Sequence, residues 1–291
     1  MKKYIGIAIC FILMLITLTG CGTTIETTDD GTFKIVSSFY PTYIMLLNIT
    51  EGAQNVSVEN MTSNNVGCLH DYTLTTTDLI KLEKADVFVT SGVEKFMVKI
   101  SSTYPELMII NPIAEIPNMI MEEGEPNYHM WLDLTNYMAQ VRLISEELIK
   151  LNPENRDVYV TKTNEYLDEL EDLQEKAKQA FTTTRKCVNF DEAIEYLKYD
   201  MNLDMYTVKT DHENNGLSAE TVSNIIDYMK QNNIKIILTA KGSNNKNANV
   251  IAAETGAKIY QLDTQITGNI DKDEYITAMD YNIEQIKSME E

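Results

Sequence analysis

Residues 152–181, NPENRDVYVTKTNEYLDELEDLQEKAKQAF, divide the chain into two halves of like design. Asn152-Pro153 reads as a helix cap with proline at the first helical position. From Glu154 to Phe181 there is neither glycine nor proline. Tyr159, Thr163, Tyr166, Leu170, Leu173, Ala177 and Ala180 recur at alternating intervals of four and three, with charged residues between them. That is the stripe of an amphipathic helix. A helix of nearly thirty residues would run roughly 40 Å, a rigid backbone rather than a hinge.

On either side of this segment, short apolar runs alternate with amphipathic ones, as in parallel α/β architecture. Strands are expected at Lys34–Phe39, Val56–Asn60, Asp86–Thr90 and Met108–Asn111, and again at Cys187–Phe190, Met205–Lys209, Lys235–Leu238 and Lys258–Leu262. Helices are expected over Thr135–Lys150, after Ser218 (Val222, Ile225, Ile226 and Met229 on one face), over Asn244–Thr255 ending at Gly256, and along Ile276, Met279, Ile283 and Ile286. The expected fold is α/β, with two lobes, each a four-stranded mainly parallel sheet flanked by helices, joined by one long rigid helix. The lobes would occupy residues 33–151 and 183–291, with 152–182 as the linking helix.

The amino-terminus reads as an export signal. Lys2 and Lys3 precede an apolar run from Tyr4 to Leu18, and Leu18-Thr19-Gly20-Cys21 has the form of a bacterial lipobox. Residues 1–20 are then a signal peptide, Cys21 carries lipid on the outer face of a bacterial cell membrane, and 21–32 is a flexible tether. The chain has 24 basic and 44 acidic residues, an imbalance that repels nucleic acid and keeps the surface solvated. Of the four cysteines, Cys10 leaves with the signal and Cys21 bears lipid. Cys68 and Cys187 are read as buried unreactive thiols, with a mutual disulfide or a thiolate metal ligand as the alternatives.

Only three histidines are present. His70 follows the second expected strand. His129 lies after the fourth, between Glu122, Glu123 and Glu125 and Trp131, whereas His212, between Asp211 and Glu213, reads as a surface-loop residue. Asp191 and Asp263 directly follow strands of the second half. Ligands of open α/β sheets bind beyond the carboxyl ends of the strands. Two neutral imidazoles and two carboxylates would balance a divalent ion without leaving net charge to desolvate. Mixed nitrogen and oxygen donors suit Mn2+ or Zn2+, with bidentate carboxylates favouring manganese and monodentate ones a zinc tetrahedron. Single residues of these kinds are equally at home as caps and turn residues, so the set rests on its convergence.

The order of these segments resembles the zinc- and manganese-specific solute-binding lipoproteins of ABC importers, the group that includes the streptococcal surface antigens. Gly67-Cys68-Leu69-His70-Asp71-Tyr72 followed by Thr77-Asp78-Leu79 resembles the family's first-ligand segment, and Tyr128-His129-Met130-Trp131-Leu132-Asp133 its second. Asp191-Glu192-Ala193-Ile194-Glu195-Tyr196-Leu197 is similar to the third, and Ala253-Glu254-Thr255-Gly256-Ala257 leading to Leu262-Asp263 to the fourth. The resemblance covers essentially the whole mature chain. It implies a monomer that takes one Mn2+ or Zn2+ from outside the cell through His70, His129, Asp191 and Asp263 and delivers it to a membrane permease.

Departures are specific. Leu69 and Tyr128 replace prolines, Thr239 stands where many members carry Glu, and no His-rich loop is present. The third position is Asp191, one methylene shorter than Glu, with Glu192 the alternative if the register shifts by one. Two other classes stay open, a secreted metal-dependent hydrolase and an adhesin whose metal is structural. No His-Glu-x-x-His pair or nucleophile elbow supports the enzyme.

Overall fold

The computed structural model describes residues 31–62, 72–92, 94–122, 124–209 and 216–289. The first half builds β1 (Phe33–Ser37), α1 (Tyr40–Ile49), β2 (Val56–Asn60), α2 (Thr76–Glu83), β3 (Val87–Val89), α3 (Met97–Thr103) and β4 (Met108–Ile110). A two-stranded hairpin, β5 (Met121–Glu122) and β6 (Glu125–Pro126), precedes α4 (Leu134–Leu151). The long helix is α5 (Arg156–Ala180). The second half adds β7 (Arg185–Asn189), α6 (Lys198–Met201), β8 (Leu203–Thr207), α7 (Ala219–Gln231), β9 (Ile236–Ala240), α8 (Lys246–Thr255), β10 (Lys258–Leu262) and α9 (Glu274–Lys287).

The two larger sheets are four-stranded and wholly parallel, ordered β2-β1-β3-β4 and β10-β9-β7-β8. Parallel strands are covered on both faces, which is why Val87–Val89 and Ile236–Leu238 read as unbroken apolar runs and are buried throughout. In each sheet the chain reverses its direction of growth beside the first strand, between β1 and β3 and between β7 and β9. Those are the crevices where such sheets bind ligands.

Several helix ends follow from local chemistry. Asp133 caps α4, its carboxylate accepting Asn136 N–H at 2.7 Å, and Ser218 caps α7 through Thr221 N–H at 3.0 Å. Gly256 closes α8 at φ +68°. The start of the long helix differs from expectation. Asn152 does not cap it; Pro153–Asn155 make a 3-10 turn first, and Asn152 Oδ1 instead accepts Asn155 Nδ2 (2.7 Å) and Tyr159 Oη (2.9 Å). That side chain is spent bracing the turn between α4 and α5.

One principal core runs through both halves. Ile35, Phe39 and Val89 of the first share it with Leu238, Leu262 and Met279 of the second, and Leu167, Leu170 and Leu173 of α5 lie in it as well. At its centre three tyrosines meet. The Tyr137 ring on α4 stacks on Tyr275 of α9 at 3.6 Å between centroids and 9° between planes, and meets Tyr166 of α5 edge-on at 6.2 Å. The Tyr137 and Tyr166 hydroxyls are 3.0 Å apart, and Tyr275 Oη donates to the Trp131 carbonyl at 2.6 Å.

This cluster ties the halves together, so its truncation is felt globally. Tyr275→Ala is expected to destabilise the protein by about 3–5 kcal/mol. Tyr275→Phe, which loses only the hydroxyl bond, should cost about 1 kcal/mol. Urea denaturation followed by tryptophan fluorescence measures both, and equal losses would place the stabilisation in the hydroxyl rather than the stacked ring.

Candidate metal centre

His129 follows the β5–β6 hairpin and is 4% exposed. Its setting is fixed by Asn127. Asn127 Nδ2 donates to Glu122 Oε1 (2.7 Å) and to the Glu192 carbonyl (3.0 Å), so Oδ1 is the acceptor, taking His129 N–H at 3.0 Å. The same Oδ1 lies 3.1 Å from His129 Nδ1, which donates to it and so carries a proton. A metal-binding imidazole is commonly oriented in this way. Trp131 packs edge-on to the ring, centroids 5.3 Å apart, and its Nε1 donates to the Thr264 carbonyl at 3.0 Å.

Asp191 lies just past β7, beside the reversal in the second sheet, and caps a 3-10 turn over Glu192–Leu197. Its Oδ1 accepts Ala193 N–H at 3.0 Å, while Asn189 holds its main chain from both sides, Nδ2 on the carbonyl at 2.7 Å and Oδ1 on the N–H at 3.0 Å. Asp263 follows β10, its backbone clamped by the Asn282 amide at 2.7 and 2.9 Å. Asp263 Oδ1 accepts Gln265 N–H at 2.9 Å, and Oδ2 pairs with Lys241 Nζ at 2.9 Å. The carboxylate is 14% exposed and the lysine 53%.

Hydrogen bonds thus link the segments that carry three of the four expected ligands. Asn127 ties His129 to the segment of Asp191 and Glu192, and Trp131 ties it to the segment of Asp263. His70 lies outside the described residues, as do Cys21, Cys68 and His212. Among the described residues no three His, Cys, Asp or Glu side chains form a group able to hold an ion by themselves. Cys187 is buried in β7 with Sγ 3.8 Å from the Asp204 carbonyl, and burial pushes its thiol up to about 12. Tyr40 reaches across from α1 to donate to the Asn269 carbonyl at 2.7 Å, a passage open because Gly268 has no Cβ to strike the phenol. Two buried polar atoms close to this region, Thr239 Oγ1 and Gln265 Oε1, accept and donate nothing.

Asn127, Lys241 and Gln265 were not singled out from sequence. Asn127 alone had a readable signal, as an amide two residues before a candidate ligand histidine. Lys241 and Gln265 reach Asp263 only through the turns after β9 and β10.

Two four-stranded parallel sheets joined through one long helix define a two-lobed α/β fold of the rigid-backbone type. The chain belongs to the ZnuA family, zinc-uptake complex component A, periplasmic, which matches residues 35–289. It is 23% identical over 302 residues to the manganese-binding lipoprotein MntA of Halalkalibacterium halodurans, covering 99% of each chain. It is 24% identical over 320 residues to the high-affinity zinc uptake system protein ZnuA of Bacillus subtilis, covering 98% of this chain and 97% of that one. The fold is shared with FpvC of Pseudomonas aeruginosa, solved in complex with Mn2+, at a TM-score of 0.77 and 22% identity over 88% of this chain and 97% of that one.

Asp133 and Asp200 form a second pair of buried acids. Asp133 Oδ2 accepts Asn118 Nδ2 at 3.1 Å; Asp200 Oδ2 accepts Leu134 N–H at 2.8 Å and its Oδ1 accepts Gln174 Nε2 at 2.9 Å. Burial, and then the neighbouring Asp200 charge, raise Asp133 from 3.8 to about 6, and burial raises Asp200. A carboxyl whose folded value is raised stabilises the fold fully below its unfolded value and loses that contribution as pH climbs through the folded one. Asp133→Asn keeps a capping side chain without the charge. Relative to the parent, this variant should therefore gain stability as pH rises from about 4 to about 6. Denaturation curves across that range test it, and a constant difference between the two proteins would contradict the raised value.

Proposed function

We propose that this chain is the extracytoplasmic solute-binding component of an ABC importer, holding one Mn2+ or Zn2+ between its lobes for delivery to a membrane permease. In this reading Cys21 carries the lipid anchor, the protein acts as a monomer, and His70, His129, Asp191 and Asp263 are the ligands. Membership of the zinc-uptake family supports the class of cargo, and the named relatives include both a manganese-binding lipoprotein and a zinc uptake protein.

The observation that carries the reading is the Asn127 clamp. Its Oδ1 lies 3.1 Å from Nδ1 of His129 while its Nδ2 donates to the main-chain carbonyl of Glu192, which supports a reading in which the imidazole of the first half lies near the Asp191 segment of the second. The donor chemistry fits a borderline divalent ion. The enclosed oxygens Thr239 Oγ1 and Gln265 Oε1 fit a site whose polar groups are arranged around something other than protein.

Purified protein should bind one ion per chain, with Zn2+ tighter than Mn2+ whichever metal the cell imports. His129→Ala and Asp263→Ala are each expected to weaken binding by more than about a hundredfold, ~2.7 kcal/mol. Asp191→Ala should do the same. Unchanged affinity in that variant, with loss in Glu192→Ala, would move the third ligand by one residue. Unchanged affinity in all of them would dismiss the metal centre, and which metal accumulates in cells with and without the protein identifies the cargo.

Because the shared core and α5 resist hinge opening, ion binding should order loops and rotate lobes slightly. Small-angle scattering is expected to give nearly the same radius of gyration with and without metal, and a marked compaction would contradict the rigid-helix reading.

A further inference from the structure

Gln265 combines three unfavourable features at one position. Its backbone is left-handed, φ +54°, a region that a residue with a long side chain seldom adopts. The side chain is 0% exposed, and its amide oxygen accepts no hydrogen bond. Its amide nitrogen reaches Asp263 Oδ1 only at 3.5 Å, the outer edge of hydrogen bonding. An apolar side chain of similar size would fill the same space without an unpaired buried oxygen, so packing does not explain glutamine here.

The surroundings hold the residue where it is. Its own N–H donates to Asp263 Oδ1 at 2.9 Å, and Trp131 pins the preceding carbonyl of Thr264. The Gln265 amide and the Asp263 carboxylate therefore share one corner. Rotation of the amide exchanges oxygen for nitrogen with almost no change of shape. With oxygen turned inward, two oxygens face each other and a cation between them satisfies both. Lys241 already engages Asp263 Oδ2, and Asp191 is a short acid, so this half of the site is sparing with oxygen donors.

We propose that Gln265 is a further residue of the metal centre, its amide oxygen coordinating the ion that Asp263 holds. The proposal rests on the metal-binding reading above. A neutral oxygen adds a ligand without adding charge. It raises the coordination number beyond four, which suits Mn2+ and adds little to a zinc tetrahedron.

Ion binding to the full chain, purified in detergent, tests this by competition titration with Mn2+ alone and Zn2+ alone. Gln265→Leu is expected to lower Mn2+ affinity at least tenfold and Zn2+ affinity less than threefold. The metal-free variant should melt at a higher temperature, because the unpaired oxygen is gone. Gln265→Glu, which keeps an oxygen, should retain Mn2+ binding, and X-ray absorption at the manganese edge should show one fewer oxygen neighbour in the leucine variant only. Unchanged Mn2+ affinity in Gln265→Leu would overturn the proposal. So would equal losses for both metals with a lowered melting temperature, which would mark a structural residue. His129→Ala and Asp263→Ala measured alongside separate the two readings. If they also leave binding intact, the metal centre itself is wrong rather than the part assigned to Gln265.

Discussion

The stack of Tyr137 on Tyr275, with Tyr166 of the long helix against it, is the constraint on which the rest of the structure depends. It joins a helix from each half to the helix between them, and it does so at the bottom of the region that carries His129. The Tyr275 hydroxyl reaches the Trp131 carbonyl, and the Trp131 indole reaches Thr264, so the stack connects directly to the segments that carry His129 and Asp263. A close-packed interior of this kind does not deform continuously. The segments of the two halves that meet at Trp131 and Thr264 are consequently held at a distance set by core packing.

Electrostatics around Asp263 go beyond those of a lone carboxylate. Lys241 adds a positive charge on Asp263, and the half-exposed ammonium is well solvated while the carboxylate is not. Solvent screening keeps this pair from dominating the site. Its chemical effect is to engage Oδ2 of Asp263, while Oδ1 accepts the Gln265 N–H. The buried pair Asp133 and Asp200 has its carboxyl pKa values raised by burial. Its role is at the α4 terminus, where Asp133 caps the helix and Asp200 accepts the first N–H from the opposite half.

Much of the fold was legible because parallel strands and amphipathic helices announce themselves through composition and period. Val56–Asn60 and Lys258–Leu262 were read to the residue, since turn-forming neighbours bound them. The long helix was read from its stripe, but its first turn was not, because Asn152 has a competing use with Asn155 and Tyr159 that only the packed structure creates. The β5–β6 hairpin escaped notice: two-residue strands carry no period. Asp191 and Asp263 were chosen for their positions after strands, and each does follow one, β7 and β10. Lys241 and Gln265 were not legible, because their meeting with Asp263 depends on the parallel pairing of β9 with β10 and on a left-handed turn, and neither leaves a local pattern.

Rigid packing and donor choice bear on the same problem. A site of imidazoles and carboxylates holds zinc more firmly than manganese if its atoms are free to arrange themselves, so preference for a harder, higher-coordinate ion has to come from geometry that the protein imposes. Imposing geometry requires a frame that does not relax around the smaller shell. Here the frame is the shared core, which fixes Trp131, and through it Thr264 and the turn that carries Gln265. A left-handed backbone and an unpaired amide oxygen persist only where the surroundings over-determine them. The core that holds the two halves together therefore also holds the turn on which Gln265 stands beside Asp263.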